Sequence, residues 1–163
     1  MTRRLIVMRH AKSSWGSATC PDHERPLNDR GRNDAPRVGA ALVERGWVPD
    51  LVLSSDAQRT RETFAGLSEA FPGEVEARFL SSFYLAGPGA AAGEVSEIAG
   101  DVACLLLLGH NPGWESLVEE LSGEDIIMKT ATAALLAMDL EDWGGAIQPG
   151  KWTLKDVIYA REL

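Results

Sequence analysis

Leu5-Ile6-Val7-Met8-Arg9-His10 is the stretch on which the fold turns. Four apolar residues in a row, without polar alternation, read as a strand covered on both faces, as in a parallel sheet. The run stops on a guanidinium and an imidazole. Chemistry-bearing side chains therefore stand at the carboxyl end of a buried strand. Val102 to Leu108 is a second and stronger run of this kind, and it leads into Gly109-His110-Asn111-Pro112. Leu51-Val52-Leu53 is a third, followed by Ser54-Ser55-Asp56.

Helical patterns fill the gaps. Asn28 can cap a helix running to about Arg45, with Val38 and Leu42 inward and Gly46 as its stop. Pro36 lies inside it and predicts a kink or a late start. Ser54-Ser55-Asp56 reads as the cap cluster of a helix with Phe64, Leu67 and Phe71 on one face, ended by Pro72-Gly73. Asn111 as N-cap and Pro112 at the first helical position start another, burying Leu117, Val118 and Leu121 and closing at Gly123. Ala11 to Leu27 reads as loop, Val75 to Phe79 as an edge strand, and Gly87 to Ala99 as loop with a short helix. Ala133 to Leu140 and Trp152 to Tyr159 are the last strands. Strands alternating with helices predict an α/β fold, a three-layer α/β/α sandwich around a mainly parallel, mixed sheet. The 163 residues fit one domain, 1–163. Ligands of such sheets bind at the carboxyl ends of the strands, where Arg9, His10 and His110 are expected.

Composition narrows the function. A net charge of −8 argues against binding nucleic acid or an anionic membrane, and it makes a local cluster of Arg and His informative. No apolar run approaches the ~20 residues of a membrane span, and the one after Thr2-Arg3-Arg4 is too short for a signal peptide. Cys20 and Cys104 form no C-x-x-C, and a reduced, cytoplasmic protein is expected.

Two of the three histidines fall at strand-to-loop junctions. Arg59 and Arg61 fall in the first turns of a helix, where the macrodipole mildly disfavours a cation. Each alone is compatible with an ordinary surface residue. Together they fit a phosphoryl group, whose charged oxygens match the planar donor fork of Arg and the free N–H groups of a helix start. A neutral imidazole is a competent nucleophile toward phosphorus near pH 7.

These residues carry a resemblance. Leu5 to Trp15, with Arg9-His10-Ala11-Lys12-Ser13-Ser14-Trp15, resembles the opening of the histidine phosphatase superfamily, and more closely its small SixA-type phosphohistidine phosphatases. Arg-His-Ala replaces the superfamily's usual Arg-His-Gly. Asp22-His23-Glu24-Arg25-Pro26-Leu27 with Gly31, the Ser54–Thr63 segment, Gly109-His110-Asn111-Pro112, and Thr132-Ala133-Ala134 with Trp143 continue it to the end of the chain.

The resemblance implies that His10 attacks phosphorus and becomes phosphorylated, and that Arg9, Arg59 and His110 hold the phosphoryl oxygens. Arg25 and Asn111 are further candidates for substrate binding. No metal and no cofactor are implied; phosphate or vanadate is the expected site ligand. Two departures matter. Gly16 stands where a related branch has a phosphate-binding Asn. No clear acid follows the second motif, Glu76, Glu94, Glu97 and Tyr84 being loose candidates. A phosphoimidazole can leave without an acid at the breaking bond, so the expected partner is a protein phosphorylated on histidine. The alternatives are a small-molecule phosphomonoesterase on the same scaffold and a non-catalytic module that binds phosphorylated partners.

Overall fold

The computed structural model describes residues 1–163. Strand β1 (Thr2–Arg9) is interior to a sheet of six strands, with β4 (Cys104–Gly109) on one side and β5 (Ala133–Asp139) on the other. β2 (Leu51–Ser55) joins β4, and β3 (Glu76–Leu80) is the edge beyond it; β6 (Thr153–Ile158) is the opposite edge. The pairings β3–β2, β2–β4 and β4–β1 are parallel, while β5 runs antiparallel to both its neighbours. The sheet is therefore mixed and mainly parallel, and the carboxyl ends of β1, β2 and β4 lie side by side.

The unbroken apolar runs have a direct cause. Ile6 and Met8 pack toward Val38 and Leu42 of α1 (Asp29–Glu44) and Leu67 of α2 (Gln58–Ser68). Leu5 and Val7, on the other face, pack with Val95 of α3 (Pro88–Val95) and with Trp114, Leu117 and Leu121 of α4 (Gly113–Ser122). Both faces of β1 are dry, and each such buried side chain contributes about 1.5–3 kcal/mol. No helix is long and apolar enough to cross a membrane.

Three local expectations need correction. Asn28 caps α1 as expected, its side chain accepting from Gly31 N at 2.9 Å, but Pro36 neither delays nor interrupts the helix. Buried Ala35, Val38 and Leu42 hold that turn by packing, against the hydrogen bond the proline removes. Ser54-Ser55-Asp56 is not the cap of α2: Ser54 and Ser55 are the buried end of β2, and Ala57 is the N-cap residue. Asn111 does not cap α4 either. The helix starts at Gly113 with Pro112 at its N-cap, because the Asn111 amide is drawn away to Met128 O at 2.8 Å.

Candidate active site

His10 is fixed at every backbone atom able to hydrogen-bond. Its N–H donates to Gly109 O at the end of β4 (3.1 Å), and its carbonyl accepts from Ala131 N in the loop just before β5 (2.9 Å). The next residues are pinned as firmly: Ala11 N donates to Thr63 Oγ1 (3.0 Å) and Lys12 O accepts from Asn28 N (3.0 Å). Gly31 is required here, since a Cβ would fall 2.1 Å from Lys12 O. The ring is 6% exposed. Nδ1 lies 2.6 Å from Ala11 O, and a carbonyl only accepts, so Nδ1 carries the proton and Nε2 the lone pair. Burial first, then the nearby Arg59, Arg9 and Arg25, lower the imidazole to about 4 against the opposing pull of Ala11 O. His10 is neutral at pH 7.

His110 faces it, the two ring centroids 5.3 Å apart. Ser55 Oγ accepts from Ala57 N at 3.2 Å and lies 2.8 Å from His110 Nε2. With Ser55 Oγ already accepting from Ala57 N, we assign its hydroxyl proton to that nitrogen. The proton of His110 then sits on Nδ1, a buried atom with no protein partner. Burial, then His10 and Arg59, lower this ring to about 3. The result is a neutral donor beside the His10 ring.

Arg59, 2% exposed, is gripped by the loop before α1: Nη1 donates to Asp22 O (2.7 Å) and Nη2 to Asp22 Oδ2 (3.0 Å). Asp22 also accepts from Arg25 Nε at 3.0 Å and from the Tyr84 hydroxyl. Burial works to raise the Asp22 carboxyl, but the hydrogen bonds from Tyr84, Arg25 and Arg59 outweigh it and hold it well below the usual range. Arg25 further donates to Ser13 Oγ (2.7 Å) and stacks over Trp15, 3.5 Å from the ring centroid.

On the other side, Arg9 Nη1 donates to Met128 O at 3.0 Å, the same carbonyl that takes Asn111 Nδ2. Glu115 Oε2 accepts from Met128 N at 2.7 Å and lies close enough to Arg9 to oppose in part the desolvation that lowers that guanidinium. Arg9 Nε and Arg59 Nε are buried without protein partners. Arg9, Arg25, Arg59 and His110 thus gather near the His10 ring, an arrangement suited to a multiply charged oxyanion.

The similarities to known proteins agree with this geometry. Residues 5–79 match the histidine phosphatase superfamily (branch 1). An uncharacterized chloroplastic protein of Arabidopsis thaliana is 40% identical over 97% of this chain and 78% of its own length. A SixA protein of Agrobacterium tumefaciens, itself a candidate phosphohistidine phosphatase, superposes with a TM-score of 0.82 at 27% identity, over 96% of this chain and 97% of that one. The chain belongs to the histidine phosphatase superfamily. Its fold is that of phosphatases, and it is shared, with a TM-score of 0.82 at 21% identity over 98% of both chains, by the protein histidine phosphatase SixA complexed with tungstate.

Within this superfamily fold, the structure brings Arg9, His10, Arg59 and His110 together. Arg25 joins them through Asp22. Asn111 sits at the edge, one amide proton committed to Met128. Of the four loose candidates for an acid, Tyr84 alone touches the cluster, its ring 5.6 Å from that of His110. Glu76 pairs with Arg78, and Glu94 accepts from Ser82. His23 lies behind the cluster, bonded to Asp56 at 2.8 Å and edge-on to Tyr84. Asp22, Ser55, Glu115 and the Met128 carbonyl, which position the others, are not marked as site groups by the sequence. The only signal for Asp22 was its place three residues before Arg25.

Proposed function

We propose that the chain is a phosphohistidine phosphatase that works through a phosphorylated His10. The observation that carries this reading is the neutral His10 ring with its lone pair on Nε2, set among Arg9, Arg59 and the His110 Nδ1–H. Nε2 attacks phosphorus in line. The new N–P bond forms as the substrate's P–N bond breaks, and the substrate imidazole, protonated on its far nitrogen, departs neutral. Arg9, Arg59 and His110 bind the equatorial oxygens as charge accumulates on them. Water then attacks phosphorus, the His10–P bond breaks, inorganic phosphate leaves, and the water's proton passes to phosphate or solvent.

The choice of substrate follows from the leaving group. An alkoxide needs a proton at the breaking bond. Tyr84 is the group best placed to give one, yet its hydroxyl donates to Asp22, and burial together with that carboxylate raises its pKa. It holds its proton too firmly to be a good acid. Phosphohistidine makes no such demand. The test is a quenched reaction with labelled donors. Phosphorus should be trapped on His10 in an acid-labile, alkali-stable bond, and His10→Ala should abolish turnover with unchanged far-UV circular dichroism. Trapping should be faster from phosphohistidine than from an alkyl phosphate. Equal rates would move the assignment to a small-molecule phosphomonoesterase with Tyr84 as acid.

A further inference from the structure

Five of the chain's sixteen Lys and Arg residues gather round one recess of about 280 Å³ beside the phosphoryl site. Arg9 and Lys12 come from the end of β1, Arg30 from the first turn of α1, Lys129 with Thr130 from the loop before β5, and Arg161 from the last turn of the chain. No acidic side chain lines it. Arg30 reaches Asp34 at 3.6 Å; Lys12, Lys129 and Arg161 have no acidic partner. A small adjoining cavity shares Arg30, Lys129, Thr130 and Arg161 with the recess and is lined by Thr132, fully buried, its hydroxyl without a hydrogen-bond partner. In a chain of net charge −8, this concentration of cations, three of them without an acidic partner, is suited to an anion.

Of the groups that would hold the phosphoryl oxygens only Arg9 lines this recess, which leaves Lys12, Arg30, Lys129 and Arg161 for further negative charge on the ligand. The rim says what kind of molecule brings it. Five large apolar side chains are exposed in the whole chain, and three of them border the site. Trp15 stacks on Arg25, Leu85 follows Tyr84, and Ile127 precedes Met128; they are 73%, 59% and 70% exposed. Ile127 also lines, with Asp125, Ile126 and Tyr159, a hollow that shares Lys129 and Arg161 with the recess. A small anion cannot cover separate apolar residues on several sides of a site, whereas a protein face can.

We infer that the recess and its rim are a docking surface for an acidic face of a phosphohistidine protein, an inference that rests on the function proposed above. Asp or Glu side chains flanking the phosphorylated histidine seat among Lys12, Arg30, Lys129 and Arg161, while the apolar rim closes over the contact. Long, exposed cations of one sign act mainly on encounter, so the effect belongs in kcat/KM and fades with salt.

The test compares three donors: a histidine-phosphorylated peptide with acidic flanks, the same peptide with neutral flanks, and phosphoramidate, which has no flanks. The wild type should prefer the acidic peptide by roughly tenfold or more in kcat/KM at low ionic strength. The triple variant Arg30→Ser, Lys129→Ser, Arg161→Ser should lose that preference and keep its rate on phosphoramidate. Lys129→Glu with Arg161→Glu should turn the preference toward a peptide with basic flanks. Equal kcat/KM for both peptides in the wild type overturns the docking surface and leaves the phosphohistidine function standing. Turnover of phosphoramidate with neither peptide accepted overturns both. A triple variant impaired equally on all three donors makes the recess part of the catalytic scaffold.

Discussion

On one side of His10, Arg25 and Arg59 share the carboxylate of Asp22; on the other, Lys12, Lys129 and Arg161 answer to no acid. The paired wall is the more buried, with Arg59 2% and Arg25 7% exposed, and its groups are tied by several hydrogen bonds each. The unpaired wall is built from side chains that reach into solvent. Pairing costs Arg59 part of its field and fixes its orientation, which an enzyme needs where oxygens must be met within a fraction of an ångström. Leaving cations unpaired does the reverse: the field is undiminished and the geometry loose, which suits recognition of a variable acidic surface. The same residue types thus do two kinds of work, and the partner on each guanidinium or ammonium tells them apart.

The sharpest way to break this contrast is at Arg59. Arg59→Lys keeps the charge but loses the fork that spans Asp22 O and Asp22 Oδ2 while still facing the site. Turnover should fall about 10²–10³-fold, the usual loss for one preorganised donor to developing charge. Single-turnover kinetics on a phosphoramidate check it. A nearly unimpaired Lys variant would mean that charge alone suffices on this wall too.

Acid should expose the space between the walls. His10 and His110 are neutral in the fold because burial and neighbouring cations disfavour their charged forms, to about 4 and about 3. In the unfolded chain both take up a proton near pH 6.5. Between those values the unfolded state binds more protons, so the stability present above pH 6.5 is lost as pH falls toward 4. For His10 alone the loss by pH 4.5 is on the order of 2 kcal/mol. Urea midpoints from pH 7 to 4.5 measure it, and they should decline less in His110→Gln. A flat profile would show that the rings are already charged, and would remove the neutral nucleophile from the mechanism.

What the sequence disclosed and withheld divides along similar lines. The buried strands were legible because a sheet covered on both faces leaves an unmistakable apolar run, as in Leu5–Met8 and Leu105–Leu108. His10 and His110 were legible because each follows such a run. The helix starts after β2 and β4 were misread for one reason: Ser55 and Asn111 are good local caps, but tertiary contacts claim their side chains first, His110 in one case and Met128 in the other. Asp22 was invisible as the holder of Arg59, since the contact closes across thirty-seven residues and no local pattern encodes it. The basic recess was invisible for the same cause. Lys12, Arg30, Lys129 and Arg161 are unremarkable surface cations in sequence and become neighbours only when the C-terminal turn folds back beside α1.

The smallest expected effect separates the walls most cleanly. A cation that makes no ion pair and stands near others of its own sign adds nothing to folding and feels their repulsion. Lys129→Ser and Arg161→Ser should therefore leave the thermal midpoint within about 2 °C of the wild type, or raise it. Disruption of the paired wall should act in the opposite direction: Asp22→Ala leaves Arg59 and Arg25 buried with their shared acceptor gone, a change that should lower the midpoint measurably. Differential scanning fluorimetry on the three variants is enough. Were Lys129→Ser to destabilise as much as Asp22→Ala, the recess cations would be structural after all, and their freedom from partners would say nothing about a docking protein. If they come out neutral or stabilising, they are residues the fold does not need, held beside the site against mutual repulsion. Such an arrangement is what a binding function leaves on a surface that folding alone would not have charged in this way.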